Sequence, residues 1–129
     1  MDIHTTQWRS QIPDGWFVVD HSDGLVLANE SGTTKVTIRV LTSKHPDDQQ
    51  ATDTFVKGAK DKHETVLGIT GDHVKVVVAE HDRHLTARVI NPQLAMMLEI
   101  ATDHPVGDAE HDFIAHFAGH LERIDSAPA

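Results

Sequence analysis

The sequence predicts an α+β domain in which a central antiparallel sheet of about six or seven strands is packed by two main helices. Two observations support this prediction. Short runs of alternating apolar and polar residues occur in two separate stretches, and each stretch is followed by apolar residues at helical spacing. The expected order is therefore a β-meander, a helix, a second β-meander and a second helix.

The first meander occupies the first 45 residues. Its strands are predicted at 16–20, 25–30 and 35–41, with turns between them at 21–24 and 30–33. In the last of these strands Val36, Ile38 and Val40 share one face, which is typical of a half-buried strand. An earlier strand is expected around residues 5–11.

The first helix is predicted to begin near Pro46, with Asp47 and Asp48 in its first turn, where carboxylates oppose the positive end of the helix. Its apolar face extends to residue 67, and Gly68 and Gly71 are expected to close it. The apolar residues at helical spacing are Ala51, Phe55, Ala59, Val66 and Leu67.

The second meander is predicted to contain strands at 74–79, 85–90 and 94–101. Asp108 is the expected N-cap of the second helix, whose apolar face comprises Phe113, Ile114, Phe117, Leu121 and Ile124. We expect a single domain over 1–125 and a disordered tail at 126–129. Several of the late strands are apolar on both faces. Either the helices pack on opposite sides of the sheet or one face is left open for docking, and the pattern favours the first arrangement.

Composition excludes several classes of function. A formal charge of −9 disfavours nucleic acid and anionic membranes as partners, and favours a basic or neutral protein. Protonation of all eleven histidines would move the charge to +2. The chain has no cysteine, which excludes disulfides, thiolate nucleophiles and cysteine-ligated zinc. It has no apolar run of the roughly 20 residues that span a bilayer. Its first residues lack the features of a signal peptide, which predicts a cytoplasmic protein.

No motif in the sequence predicts an enzyme. His21, Ser22 and Asp23 contain the residue types of a hydrolase triad, but neighbours in one turn rarely point at each other, and a Gly-x-Ser-x-Gly elbow is missing. The alternative to a binding role is a zinc or nickel site. Asp112, His116 and His120 lie one helical turn apart on the second helix. For these residues, packing at the edge of the apolar face is favoured over metal binding. The segment 81–84 also contains two histidines and a carboxylate, and there a solvated turn is favoured over a metal site.

Four residues are candidates for contacting a partner protein. Trp8 lies between Gln7 and Arg9, so we expect it to be partly exposed and to serve as an interface anchor, whereas Trp16 is expected to fill the core. Arg39, Arg88 and Met97, on three of the predicted strands, are the other candidates.

The segment Gln11–Trp16 contains Pro13, Gly15 and Trp16 at the start of a strand, and resembles the Pro-x-Gly-Trp turn of the PsbP/Mog1-like fold family, which includes DcrB-like and type VI secretion chaperone proteins. The closing helix with Phe113 and Phe117 is also similar. The resemblance implies a helix-packed antiparallel sheet without shared catalytic residues. We therefore expect a non-enzymatic protein-binding module without a cofactor, such as a bacterial chaperone, adaptor or immunity-type protein. A homodimer is also compatible with the sequence. The alternative is a histidine-based metal-binding protein or a small metal-dependent enzyme.

Overall fold

The computed structural model describes residues 1–5, 7–20, 24–41, 49–70, 74–91 and 94–124. These residues form ten strands and two helices, which confirms the predicted α+β class and its order. The elements are β1 Asp2–His4, β2 Trp8–Gln11, β3 Trp16–Asp20, β4 Leu25–Asn29, β5 Thr34–Val40, α1 Gln49–Asp61, β6 Thr65–Thr70, β7 Lys75–His81, β8 His84–Asn91, β9 Leu94–Thr102, α2 Asp108–Gly119 and β10 Glu122–Arg123.

Seven of the strands form one antiparallel sheet in the order β3-β4-β5-β9-β8-β7-β6. β9 is the central strand and joins the two meanders, since it pairs with β5 on one side and with β8 on the other. A smaller antiparallel sheet has the order β1-β2-β10. The edges of the large sheet are therefore β3 and β6.

One face of the large sheet, here called the α2 face, carries the main core. Its buried residues include Leu27, Val36, Leu85 and Leu98, and α2 adds Phe113, Ile114 and Phe117 to the same cluster, while the small sheet adds Ile3 and Trp8. A buried hydrogen bond fixes α2 to the small sheet, because Ser10 Oγ donates to the Phe117 carbonyl oxygen at 2.6 Å. The core thus lies between the sheet, α2 and the β1-β2-β10 layer.

The opposite face, here called the α1 face, is covered by α1 over β6 and β7. Side chains alternate along a strand, so Arg88 lies on the face opposite its core neighbours Ala87 and Val89. The Arg88 Nε donates to Thr52 Oγ1 of α1 at 3.2 Å. The two helices therefore pack on opposite sides of the sheet, which is the arrangement that the sequence favoured.

The predicted extent of the first helix is wrong at its C-terminal end. α1 stops at Asp61, where His63 adopts a left-handed φ of 60°. The His63 amide donates to the Lys60 carbonyl and the Glu64 amide to the Ala59 carbonyl, which is a Schellman closure. Val66, Leu67 and Gly68 therefore belong to β6, which pairs with β7. Gly71 lies outside the described residues.

The second helix also begins and ends differently from the prediction. Its N-cap is Gly107, not Asp108, and the Glu110 carboxylate at N3 accepts a hydrogen bond from the Gly107 amide at 3.2 Å. The helix ends at Gly119, so Ile124 lies beyond it and follows β10. Pro46, Asp47, Asp48 and the predicted tail at 126–129 are outside the part of the chain that the structure describes.

Candidate protein-binding surface

The edge strand β3 exposes a continuous apolar segment. Phe17, Val18 and Val19 have 54%, 40% and 55% of their surface exposed, and they are three of the five large exposed apolar residues in the described chain. The strand is nevertheless fixed in place, because it pairs with β4 and its Trp16 ring packs 4.8 Å from the Phe113 ring of α2. A firmly held strand thus presents apolar side chains to solvent.

The backbone of β3 also has hydrogen-bonding groups that face the open edge. The Glu30 amide donates to the Gly15 carbonyl at 3.0 Å, so these two residues form a hydrogen-bonded pair. Because such pairs alternate with non-hydrogen-bonded pairs in an antiparallel ladder, Phe17 directs its amide and carbonyl groups toward β4, whereas Trp16 and Val18 direct theirs away from it. No described strand pairs with β3 on that side.

β3 lacks most of the features that keep edge strands from pairing with other chains. Natural edges are usually protected by lysine, by proline or by an inward-pointing charge. The segment Trp16–Val19 contains none of these residues. The register does shift between Val18 and Asp20, which is a bulge at the end of the strand. Up to that bulge, the edge can accept another strand.

Acidic residues lie around both ends of β3. Asp14 precedes the strand and Asp20 is its last residue, and both are exposed. Glu30, also exposed, is bonded to Gly15 through the backbone. Asp14 Oδ1 lies 3.4 Å from the Met1 amino group, in an ion pair at the surface. The edge is therefore apolar in its middle and has carboxylates near both ends.

The prediction that Trp8 is a partly exposed interface anchor is wrong. Trp8 is only 2% exposed, and its ring meets the Phe117 ring edge-to-face at a centroid distance of 5.5 Å. The reason is the alternation of β2, in which Trp8 and Ser10 point inward and Arg9 and Gln11 point outward. The polar neighbours of Trp8 in the sequence, Gln7 and Arg9, therefore indicate a half-buried strand and not an exposed tryptophan. Trp16, expected to fill the core, is half-buried against it.

The other three predicted partner residues form one row across the α1 face. Met97 of β9 is opposite Arg39 on one side and Arg88 on the other. Arg88 is unsuited to a surface role, because it is only 6% exposed and bonded to Thr52 of α1. Arg39 is exposed and lies 3.6 Å from a Glu99 carboxylate oxygen, while Met97 is half-buried. Arg39 and Met97 thus remain candidates, two strands or more from the β3 edge.

The residues of the metal alternative lie together on α2. The rings of His116 and His120 are 4.7 Å apart, and His120 Nδ1 is hydrogen-bonded to the His116 carbonyl at 2.8 Å. His116 and His120 are exposed, as is Asp112 one turn earlier. Among the described residues, no group of three or more histidine, aspartate or glutamate side chains has the geometry to hold a metal ion. A zinc or nickel site at these residues stays a prediction.

The segment 81–84 forms the tight turn between β7 and β8, with Asp82 at a left-handed φ of 52°. Its backbone carbonyls accept bonds from the end of β9 and from the segment that follows it, since the Thr102 amide donates to the Arg83 carbonyl and the Val106 amide to the Asp82 carbonyl. The turn therefore helps to position the start of α2. The predicted His21-Ser22-Asp23 turn lies outside the described residues.

The structure adds a charged cluster that the sequence did not suggest. His104 has Nδ1 3.0 Å from Asp103 Oδ1 and Nε2 2.7 Å from Oε1 of the buried Glu110. Hydrogen bonds to Asp103 and to Glu110 raise the pKa of His104 above its usual 6.5. Both ring nitrogens face carboxylates, and the protonated form, which has two N–H donors, can satisfy both. The cluster ties the start of α2 to the end of β9.

The residues that sequence reasoning missed are Phe17, Val18 and Val19. Their signal was present, since three consecutive apolar residues place apolar side chains on both faces of a strand. The same pattern occurs in Val76–Ala79, which is buried between neighbours in the structure. Only the strand order distinguishes an edge from an interior strand, and that order depends on contacts distant in sequence.

Comparisons with known proteins give no indication of what binds at this surface. No protein-family model, curated protein or solved structure matches the chain. The likeness of Gln11–Trp16 to the PsbP/Mog1-like turn therefore stays a prediction. In the part of the chain that the structure describes, neither helix is long and apolar enough to cross a membrane.

Proposed function

We propose that this chain is a non-enzymatic protein-binding module that pairs an extended segment of its partner with β3. The observation that carries the proposal is the exposed apolar edge of Phe17, Val18 and Val19, with the Trp16 and Val18 backbone groups directed outward. Main-chain hydrogen bonds to an added strand supply affinity, and the side chains beside them supply selectivity. A chaperone, adaptor or immunity-type role is compatible with this mode of binding.

The exposure of three adjacent apolar side chains supports the binding of a partner protein at this edge. Contiguous exposed apolar residues on a soluble domain mark interaction sites, whereas single ones are ordinary. Each large apolar side chain contributes about 1.5–3 kcal/mol when it is fully removed from water. A strand placed beside β3 would cover Phe17 on the α1 face and Val18 on the α2 face together.

Site-specific photo-crosslinking in the source cell tests the proposal. A benzophenone amino acid replaces Phe17 in one variant and Leu67, which is 38% exposed on the other edge strand, in the matched control. We expect a defined crosslinked protein from position 17 and none from position 67. We also expect the position-17 product to disappear when Val18→Pro is added, since proline removes an outward amide and leaves the β4 ladder intact.

The opposite pattern would overturn the proposal. Equal products from positions 17 and 67, no product from position 17, or a product that Val18→Pro leaves unchanged would each show that β3 does not pair with a partner strand. Circular dichroism of every variant establishes that the fold is retained before the crosslinks are compared.

A further inference from the structure

The charges beside β3 specify the kind of segment that would bind there. This inference rests on the proposed function, because it assumes that β3 pairs with a partner strand. Residues 10–34 contain no lysine or arginine and four carboxylates, namely Asp14, Asp20, Asp23 and Glu30. Asp14 and Asp20 are exposed at the two ends of β3, where Asp14 also pairs with the Met1 amino group, and Glu30 is exposed on the β4 side. The apolar centre contains no charge.

The distance between the acidic ends sets the length of a complementary segment. Asp14 and Asp20 are six positions apart, so an extended chain between them spans at most about 20 Å at roughly 3.4 Å per residue. Opposite charges on a partner would therefore fit best when about five uncharged residues separate them. A lysine or arginine at each end of such a segment would face a carboxylate.

We propose that β3 selects an extended peptide segment with an apolar, β-prone centre and lysine or arginine at both ends. The outward groups of Trp16 and Val18 pair with the backbone of its centre. Asp14 faces the basic residue at one end, and Asp20 faces the basic residue at the other. Charges at the rim of a binding site mainly set selectivity and the rate of association, so they choose among strands that the apolar edge accepts.

A second copy of this chain is a poorer occupant of the edge. Antiparallel pairing of two β3 strands would bring Asp14 of each copy near Asp20 of the other at the same seam. Each copy also carries a formal charge of −9. Like charges placed together across an interface oppose pairing, whereas a basic segment meets the same carboxylates with the opposite sign.

Fluorescence anisotropy with two labelled peptides tests the inference on the full chain. The first peptide has five alternating valine and threonine residues between two pairs of lysines, and the second has glutamates in place of the lysines. We expect the lysine peptide to bind at least about ten-fold more tightly, and its advantage to shrink between about 0.05 M and about 0.5 M NaCl as surface charges are screened.

Three variants assign the effect to β3. Val18→Pro should weaken binding of the lysine peptide about ten-fold or more, because a strand hydrogen bond is lost. The double substitution Asp14→Asn and Asp20→Asn leaves the strand backbone unchanged and should reduce the preference for lysine over glutamate. Leu67→Ala, on the far edge, should leave both affinities unchanged.

The outcomes separate this inference from the proposed function. Equal affinities for the two peptides, no binding of the lysine peptide, or a preference that survives the double substitution would overturn the basic-segment inference. Crosslinking from position 17 would then still support protein binding. Sedimentation showing a dimer that Val18→Pro dissociates would overturn it in favour of a second copy, and loss of both the peptide and the crosslinking results would overturn both proposals.

Discussion

The two edge strands of the large sheet, β6 and β3, differ in what packs against them. β6 follows α1 through a tight left-handed closure at His63, and the helix packs back over β6 and β7, where Ala59 is buried. β3 has four of its five residues exposed, although Trp16 packs against Phe113. Within the described residues, a helix therefore packs over the face of β6, of which Thr65 and Leu67 remain exposed, whereas most residues of β3 are exposed.

This difference predicts that substitutions at the two edge strands affect different properties, stability at β6 and binding at β3. Edge strands are hazards for unwanted pairing, and covering them is a common protection. α1 packs over the face of β6 and β7, so its contacts should matter for folding. Phe17, Val18 and Val19 of β3 have about half of their surface in water, so their substitution should change stability little and binding strongly.

The largest expected effect tests this division directly. Ala59→Asp places an unpaired carboxylate beneath α1, where the side chain is almost fully buried, and should lower the free energy of unfolding by about 3 kcal/mol. Val19→Asp introduces the same carboxylate on the exposed edge and should lower the free energy of unfolding by less than about 1 kcal/mol. Urea denaturation measures both. Equal losses would show that β3 is packed and that the contrast between the edges is mistaken.

The second prediction concerns how the exposed hairpin is held to the sheet. A Cβ at Gly24 would lie 2.7 Å from the Ile38 carbonyl oxygen, and the residue has a φ of +91°. Gly24→Ala should therefore cost about 2–3 kcal/mol, from steric overlap together with left-handed strain.

Gly32→Ala is the matched control for that substitution. Gly32 has a φ of +70°, but a Cβ added there would meet no heavy atom within 4 Å, so only the conformational cost of about 1 kcal/mol remains. Thermal unfolding of both variants separates the two contributions. If Gly32→Ala destabilised the chain as much as Gly24→Ala, close approach to β5 would not be the cause.

The third prediction concerns the turn between α1 and β6. His63 adopts a left-handed conformation at the position after α1 where glycine is preferred. His63→Gly should raise the free energy of unfolding by about 1 kcal/mol, because the Cβ strain of a left-handed residue is removed. Chemical denaturation measures the gain. A loss of stability would show that the histidine side chain contributes to the closure.

The smallest expected effect depends on pH and concerns the helix that packs behind Trp16. The pKa of His104 is raised by its carboxylate partners, so its stabilising contribution is complete below the unfolded value near 6.5 and decreases as the pH rises through the folded value. The difference in Tm between the wild type and His104→Gln should therefore be larger near pH 6 than near pH 9. A difference that grows with pH would contradict the assigned charge state.

Local sequence patterns predicted most of the strands because a single strand needs only alternation, as in Val36, Ile38 and Val40. They failed where a pattern crossed an element boundary. Val66 and Leu67 continued the helical spacing of Ala59, and the left-handed closure at His63 had no glycine to announce it. The consecutive β-branched pair Thr65 and Val66 was the available signal for a strand.

The candidate surface was harder to predict because it depends on which strands are neighbours. Trp8 and Trp16 are both strand residues, and how far each is buried depends also on its contact with Phe117 or Phe113 of α2. Similarly, the Asp103, His104 and Glu110 cluster depends on the turn that brings the end of β9 to the start of α2. Neither arrangement is encoded in a local motif.

Residue-by-residue hydrogen exchange, followed by NMR with and without the lysine-flanked peptide, tests the binding role of β3 most directly. In the free chain we predict rapid exchange of the Trp16 and Val18 amides and slow exchange of the Phe17 amide, which faces β4. The peptide should then slow exchange at Trp16 and Val18 and leave β6 unchanged. Protection of Trp16 and Val18 already equal to that of Phe17 in the free chain, or peptide-induced protection at Thr65–Thr70 instead, would contradict a binding edge at β3.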